Sequence, residues 1–168
     1  MKIINEITSL REFKPWSGAV DTYNKIVDAD KEEEFINELD NIYSEGITEG
    51  QLNDLLWFEE EWCYEIVGLN KWGVQPVDAD TVLEGTTLIQ EALDEAIDEF
   101  IENNKKDDDS DYVKSDFSGL DEWDFESNLD DWLEENQGDE TDEDTLAEKW
   151  LEEVGHDIIH ETVRNHVW

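Results

Sequence analysis

The chain is poor in proline, with two in 168 residues, has a single cysteine, and carries only eleven basic side chains. Each shortage removes a class of protein. With Cys63 alone there can be no intramolecular disulfide and no multi-cysteine metal site, so a reducing cytoplasm is the expected compartment. No run approaches the ~18 apolar residues of a membrane span. The start, MKIINEITSLREFKPW, lacks the continuous apolar segment and small-residue cleavage site of a signal peptide. Against 11 Lys plus Arg stand 49 Asp plus Glu, a formal net charge of −38. Such a chain repels nucleic acid and anionic membranes and attracts basic proteins and divalent cations. Neither direct nucleic-acid binding nor membrane binding is expected. GxSxG, a phosphate-cradling glycine loop and a dinucleotide fingerprint are all missing, so no enzyme and no cofactor is expected.

What is present argues for a fold. Hydrophobic residues make up 38% of the chain and aromatics 11%, with eight tryptophans, whereas disorder combines high charge with few aromatics. The length suits one domain or two small ones. The spacing predicts a mainly α protein. Ser17 is placed to cap a helix bearing Val20, Tyr23 and Val27, and Asp30 to cap one bearing Phe35, Ile36, Leu39, Ile42 and Tyr43. Thr48 and Gln51 form a capping box for a longer helix through Leu52, Leu55, Leu56, Trp62, Cys63, Ile66 and Val67 that Gly68 stops. Residues 1–69 thus read as a three-helix N-terminal unit. Residues 70–85, with Trp72, Gly73 and Pro76, read as a linker that includes a short strand or turn around Val74 to Val82. Residues 86–168 read as an acidic helical region with flexible acidic loops near 107–118 and 136–144. Its first helix buries Leu88, Ile89, Ala92, Leu93, Ala96, Ile97, Phe100 and Ile101, and leaves Glu91, Glu95, Asp98 and Glu102 wet. Its last helix opens on a Thr145–Glu148 box and carries Leu146, Trp150, Val154 and Ile158 on one face, with a bend at Gly155.

Three constellations suggest chemistry, and each has a plainer reading. HDIIH sets His156 and His160 at i and i+4, a spacing that suits two zinc ligands, but His166, six residues on, falls on a different face of the helix. Asp107, Asp109 and Asp111 match the first alternating ligands of a calcium loop, which then fails at Tyr112, its glycine position, and Ser118, its glutamate position. Cys63, in EEEWCYE, has acids where a reactive thiolate needs cations, and reads as a core residue.

The charge itself is unevenly placed. Residues 1–72 hold 17 acids and 6 bases, a balance of −11, and residues 73–168 hold 32 acids and 5 bases, a balance of −27. Adaptation to salt would spread the excess evenly. Duplex DNA carries one charge per ~1.7 Å, so 38 charges correspond to about 65 Å of duplex on a globule with a radius of gyration of about 15 Å. In LDEWDFESNLDDWLEE, Leu120 to Glu135, the acids alternate with large rings. Leu129, Trp132 and Leu133 fit a core-facing helix stripe, while Trp123 and Phe125 lack that support.

With this charge, this size, the single cysteine and segments such as EEEWCYE, DEWDF and DDWLEE, the chain resembles the acidic DNA-mimic proteins of phages and mobile elements, antirestriction and anti-CRISPR proteins among them. FKPWSGAVDTYNKI followed by LNDLLWFEEEWCYE is similar to small proteins encoded on phages and integrated elements of Gram-positive bacteria, over about residues 13–69. The resemblance implies a cytoplasmic inhibitor in a bacterial host that occupies the basic groove of a nucleic-acid-binding protein, such as a CRISPR effector or restriction enzyme, as a monomer or as a homodimer. The expected partner-binding residues are Asp107, Asp108, Asp109, Asp111 and Asp116, then Asp121, Glu122, Trp123, Asp124, Phe125, Glu126, Asp130, Asp131, Glu134 and Glu135, then Asp139, Glu140, Asp142, Glu143 and Asp144. The alternative is a protein-interaction module whose acidic-aromatic segment is disordered alone and docks on a regulatory or assembly partner.

Overall fold

Helices this acidic hold together only if each keeps an apolar stripe to bury. The computed structural model, which describes residues 9–106, 109–110 and 112–167, is mainly helical and builds two cores from such stripes. The chain divides into two compact units, Met1–Pro76 and Val77–Trp168.

The first unit holds helices α1 (Ala19–Asp28), α2 (Glu32–Ile42), α3 (Glu49–Phe58) and α4 (Glu60–Glu65). Leu10, Phe13, Ile26, Phe35, Leu39, Leu52, Leu56, Cys63, Tyr64 and Val67 fill its core. The Thr48–Gln51 box forms as expected, with the Gln51 N–H donating to Thr48 Oγ1 and the Thr48 N–H to Gln51 Oε1. Asp30 does not cap α2. It adopts φ +56°, and the bonds from Asp30 N to Val27 O and from Lys31 N to Ile26 O close a Schellman turn that ends α1. Ser17, at φ +55°, likewise caps nothing, and Gly18 precedes α1 instead. Gly68, at φ +72°, stops the third segment as predicted, but that segment is two helices, interrupted at Glu59 (φ −122°, ψ 41°). The break moves Glu60 and Glu61 from the interior of the expected helix into the first turn of α4, where the helix dipole favours carboxylates. Ile42, assigned to the apolar face, is exposed.

The second unit holds α5 (Ala79–Gly85), α6 (Leu88–Asn103), α7 (Glu126–Asn136), α8 (Glu143–Trp150) and α9 (His156–His166), with a π turn at Leu151–Gly155 joining the last two. Residues 77–85 are therefore no linker and hold no strand. Asp78 caps α5 by accepting the Thr81 N–H at 2.9 Å, and Ala79, Val82 and Leu83 enter the core. Lys105–Lys106 and Asp109–Ser110 form a two-residue antiparallel ladder, pairing Lys105 with Ser110. The apolar face expected of α6 is buried or half-buried, with Ile89, Leu93, Ala96 and Ile97 deepest. α8 is capped by Asp142 rather than Thr145: the Asp142 carboxylate accepts both the backbone N–H and the hydroxyl of Thr145.

The π turn changes which residues of the last helical stretch face inward. A regular α-helix would carry the stripe from Trp150 to Val154 and Ile158. The one extra residue passes it instead to Gly155, Ile159 and Val163, leaving Val154 37% exposed. Gly155 lies against the Trp150 indole, where an added Cβ would sit 2.5 Å from Cε3. Helix propensity alone would make Gly155→Ala stabilising by ~1 kcal/mol. The contact with a fully buried ring reverses the sign, and Gly155→Ala is expected to destabilise the second unit by about 1–3 kcal/mol in urea unfolding; a gain in stability would show that the indole does not depend on this glycine.

Candidate functional site

The segment LDEWDFESNLDDWLEE folds from its own hydrogen bonds outward. Asp121 Oδ1 accepts the Trp123 N–H, and the Asp121 N–H donates back to Asp124 Oδ2 at 2.9 Å, which fixes a 3-10 turn at Glu122–Phe125. The turn leads directly into α7. Phe125 is 0% exposed, with its ring centroid 6.2 Å from that of Trp150, and Leu129, Trp132 and Leu133 are buried behind it. Trp132 Nε1 donates to Glu153 Oε2 at 2.9 Å, tying α7 to the π turn. Phe125 is thus a core residue and not a partner-binding one, because the 3-10 turn sets it on the same side as the α7 stripe. Trp123 is 41% exposed. The two unassigned rings have separated.

The carboxylates of the expected site separate in the same way. Asp116 accepts the Val113 N–H, Asp130 the Ala79 N–H at 2.7 Å, and Glu140 the N–H groups of Thr141 and Asp142. Hydrogen bonds to backbone N–H lower a carboxyl pKa. The Asp142 carboxyl lies below the ordinary range because it accepts the backbone N–H and then the hydroxyl of Thr145; Asp78 does so through the Thr81 hydroxyl and then its N–H. Glu122 and Glu143 are half-buried, and the Glu143 side chain crosses Gly85. Glu126, Asp131, Glu134, Glu135, Asp139 and Asp144 are exposed. Asp131, Glu134 and Glu135 lie on the wet side of α7, away from Leu129, Trp132 and Leu133, while Glu126 is exposed in its first turn. Asp107, Asp108 and Asp111 lie outside the described residues, and of Asp109 only the backbone is described.

The acidic row on α6 is partly neutralised. Lys114 bonds Asp98, Lys105 bonds Glu102, and Glu91 accepts the Thr87 hydroxyl. The Asp98 bond raises the Lys114 pKa. The three histidines have different surroundings. His156 is exposed, His160 lies 3.8 Å from Glu99 beside a recess of about 580 Å³, and His166 stacks on Phe117. Among the described residues no group of three or more His, Cys, Asp or Glu side chains is placed to hold a metal ion. No helix among them is long and apolar enough to cross a membrane. Burial, followed by Glu59 and Glu60, pushes the Cys63 thiol up to about 12, so it stays protonated and unreactive at neutral pH.

A surface in the first unit escaped the sequence reading. Trp57 and Phe58 close α3 outside its apolar stripe and are 42% and 65% exposed, stacked on each other at 4.7 Å and 16°. Two successive rings past the stripe of Leu52, Leu55 and Leu56 are the signal that could have found them. Compared with protein-family models, curated proteins and solved structures, the chain matches none.

The separation of the two rings has a direct energetic test. Phe125→Ala empties a sealed core position and is expected to cost about 3–5 kcal/mol. Trp123→Ala is expected to stay within about 0.5 kcal/mol. Equal losses in chemical denaturation would place Trp123 in the core as well.

Proposed function

We propose that the chain is a non-enzymatic inhibitor whose acidic second unit imitates the charge of a nucleic acid and fills the basic DNA- or RNA-binding groove of a host defence nuclease or another DNA-processing protein. The observation that carries this reading is the construction of α7. One side is sealed into the core by Leu129, Trp132 and Leu133, continuing from Phe125, and the other displays Asp131, Glu134 and Glu135, with Glu126 exposed in the first turn. A mimic needs charges held in place before the partner arrives, since ordering them afterwards costs affinity.

Residues three and four apart on a helix lie ~5–6 Å from one another, so Asp131, Glu134 and Glu135 make a local concentration of negative charge. From residue 73 onward, 32 acids stand against 5 bases. Carboxylates in such an array steer a basic groove toward them and form charge-assisted hydrogen bonds with its Lys and Arg side chains. Trp123, at the edge of the array, offers an indole face to a cation. The competing reading, a disordered acidic-aromatic segment that docks into a partner's groove, has less support, because its apolar side chains other than Trp123 already belong to this chain's core.

Capture from bacterial lysate on the immobilised chain, at low and at high salt, tests the proposal. The expected catch is a basic nucleic-acid-binding protein that duplex DNA or RNA displaces and that high salt releases. Replacing Glu126, Asp131, Glu134, Glu135, Asp139 and Asp144 by their amides should weaken binding by tenfold or more. It should also flatten the dependence of log K on log salt by roughly one unit for each ion pair removed. Capture that survives these substitutions, or a captured protein that still binds nucleic acid, would contradict the mimic.

A further inference from the structure

We propose that the first unit has a docking surface of its own, centred on Phe58, for a basic amphipathic protein segment. Phe58 stands between two recesses. One, of about 300 Å³, has Tyr43, Ile47 and Leu55 as its apolar floor and Asp54 and Glu59 at its edge. The other, of about 380 Å³, is lined by Phe58, Trp62 and the carboxylates of Glu59, Glu60, Glu61 and Glu65. The helix break at Glu59 ends α3 at Phe58 and turns the chain into α4, so both recesses share this ring.

One face of the ring is covered by its neighbour. Phe58 stacks on Trp57, and the Trp57 indole lies directly over Gly18, where any Cβ would collide with it. The loop before Gly18 is itself fixed to α3 by the Trp16 N–H, which donates to Asn53 Oδ1 at 2.9 Å. An exposed aromatic backed by a second ring is the kind of side chain that dominates interfaces.

Charge selects the occupant. An apolar floor with Asp54 and Glu59 at its edge, beside a recess lined by Glu59, Glu60, Glu61 and Glu65, suits a segment with aliphatic side chains along one side and Lys or Arg on the flanks, whose cations pair with these carboxylates. A second copy of this chain would bring a net charge of −38 to the same acidic edge, and an anionic membrane would be repelled likewise. The surface is independent of the charge mimicry assigned to the second unit.

The test uses the full chain and two synthetic probes. One is a helical peptide with leucine along one side and arginine elsewhere; the other is an oligo-arginine of equal charge. Phe58→Ala, at an exposed position, is expected to weaken the leucine-arginine peptide about tenfold, the loss typical of a truncated interface anchor. It should leave oligo-arginine within about twofold. Asp54→Lys should weaken the peptide severalfold. An unchanged affinity for the peptide in Phe58→Ala, or equal loss of both probes, would overturn the proposal. So would self-association of the unaltered chain that Phe58→Ala abolishes, since the surface would then belong to a second copy.

Discussion

Forty-nine carboxylates in 168 residues repel one another, and every element of the structure is arranged around that repulsion. Compaction brings like charges together, so the helices must be held by burial on one side and by local hydrogen bonds at their ends. Many acids are placed where a fold can use them. Asp78 and Asp142 cap α5 and α8, Asp121 and Asp124 close the 3-10 turn before α7, and Glu32, Glu49, Glu60, Glu126 and Glu143 occupy first turns, at the positive end of the helix dipole. Acid acts directly on two of these caps. The carboxyls of Asp78 and Asp142 titrate below their ordinary range, so their contribution is present above that range and is lost as pH falls through the lowered values.

Elements built on a regular period are legible in the residues themselves. The α6 stripe, the Thr48–Gln51 box, the Gly68 stop and the core position of Trp132 all follow from side-chain spacing and local capping chemistry. Elements that depend on one residue leaving the regular pattern are not. Asp30 has the composition of a cap, yet its backbone enters the left-handed region and ends the preceding helix. α5 is too short for a periodic signal and declares itself only through Asp78 and the burial of Ala79, Val82 and Leu83. The π turn moves the buried stripe by one residue, and nothing in LEEVG announces it except a glycine, whose need arises from the packing of Trp150.

The candidate site shows the same division. Spacing was enough to put Leu129, Trp132 and Leu133 inside, but acid and ring simply alternate from Asp121 to Phe125. Only the 3-10 turn separates Phe125, inside, from Trp123, outside. The density of carboxylates was plain from composition, whereas their division into caps and displayed charges depended on which backbone N–H groups came within reach. Phe58 was hidden for a related reason: α3 looked continuous, and its exposure arises where the helix breaks. Two kinds of surface result, a charged one built on α7 and an aromatic one with an acidic border at the end of α3, and both rest on side chains packed from behind.

Charge mimicry requires that the helix carrying the α7 carboxylates be formed in the free protein. Native-state hydrogen exchange on the unbound chain measures this directly. Amides of Leu133, Glu134, Glu135 and Asn136, which donate within α7, should exchange as slowly as those in the middle of α6, because both helices share one core. Exchange of the α7 amides at the rate of an unstructured peptide, while α6 stays protected, would contradict a preformed charged surface and return LDEWDFESNLDDWLEE to the status of a segment that folds only on a partner.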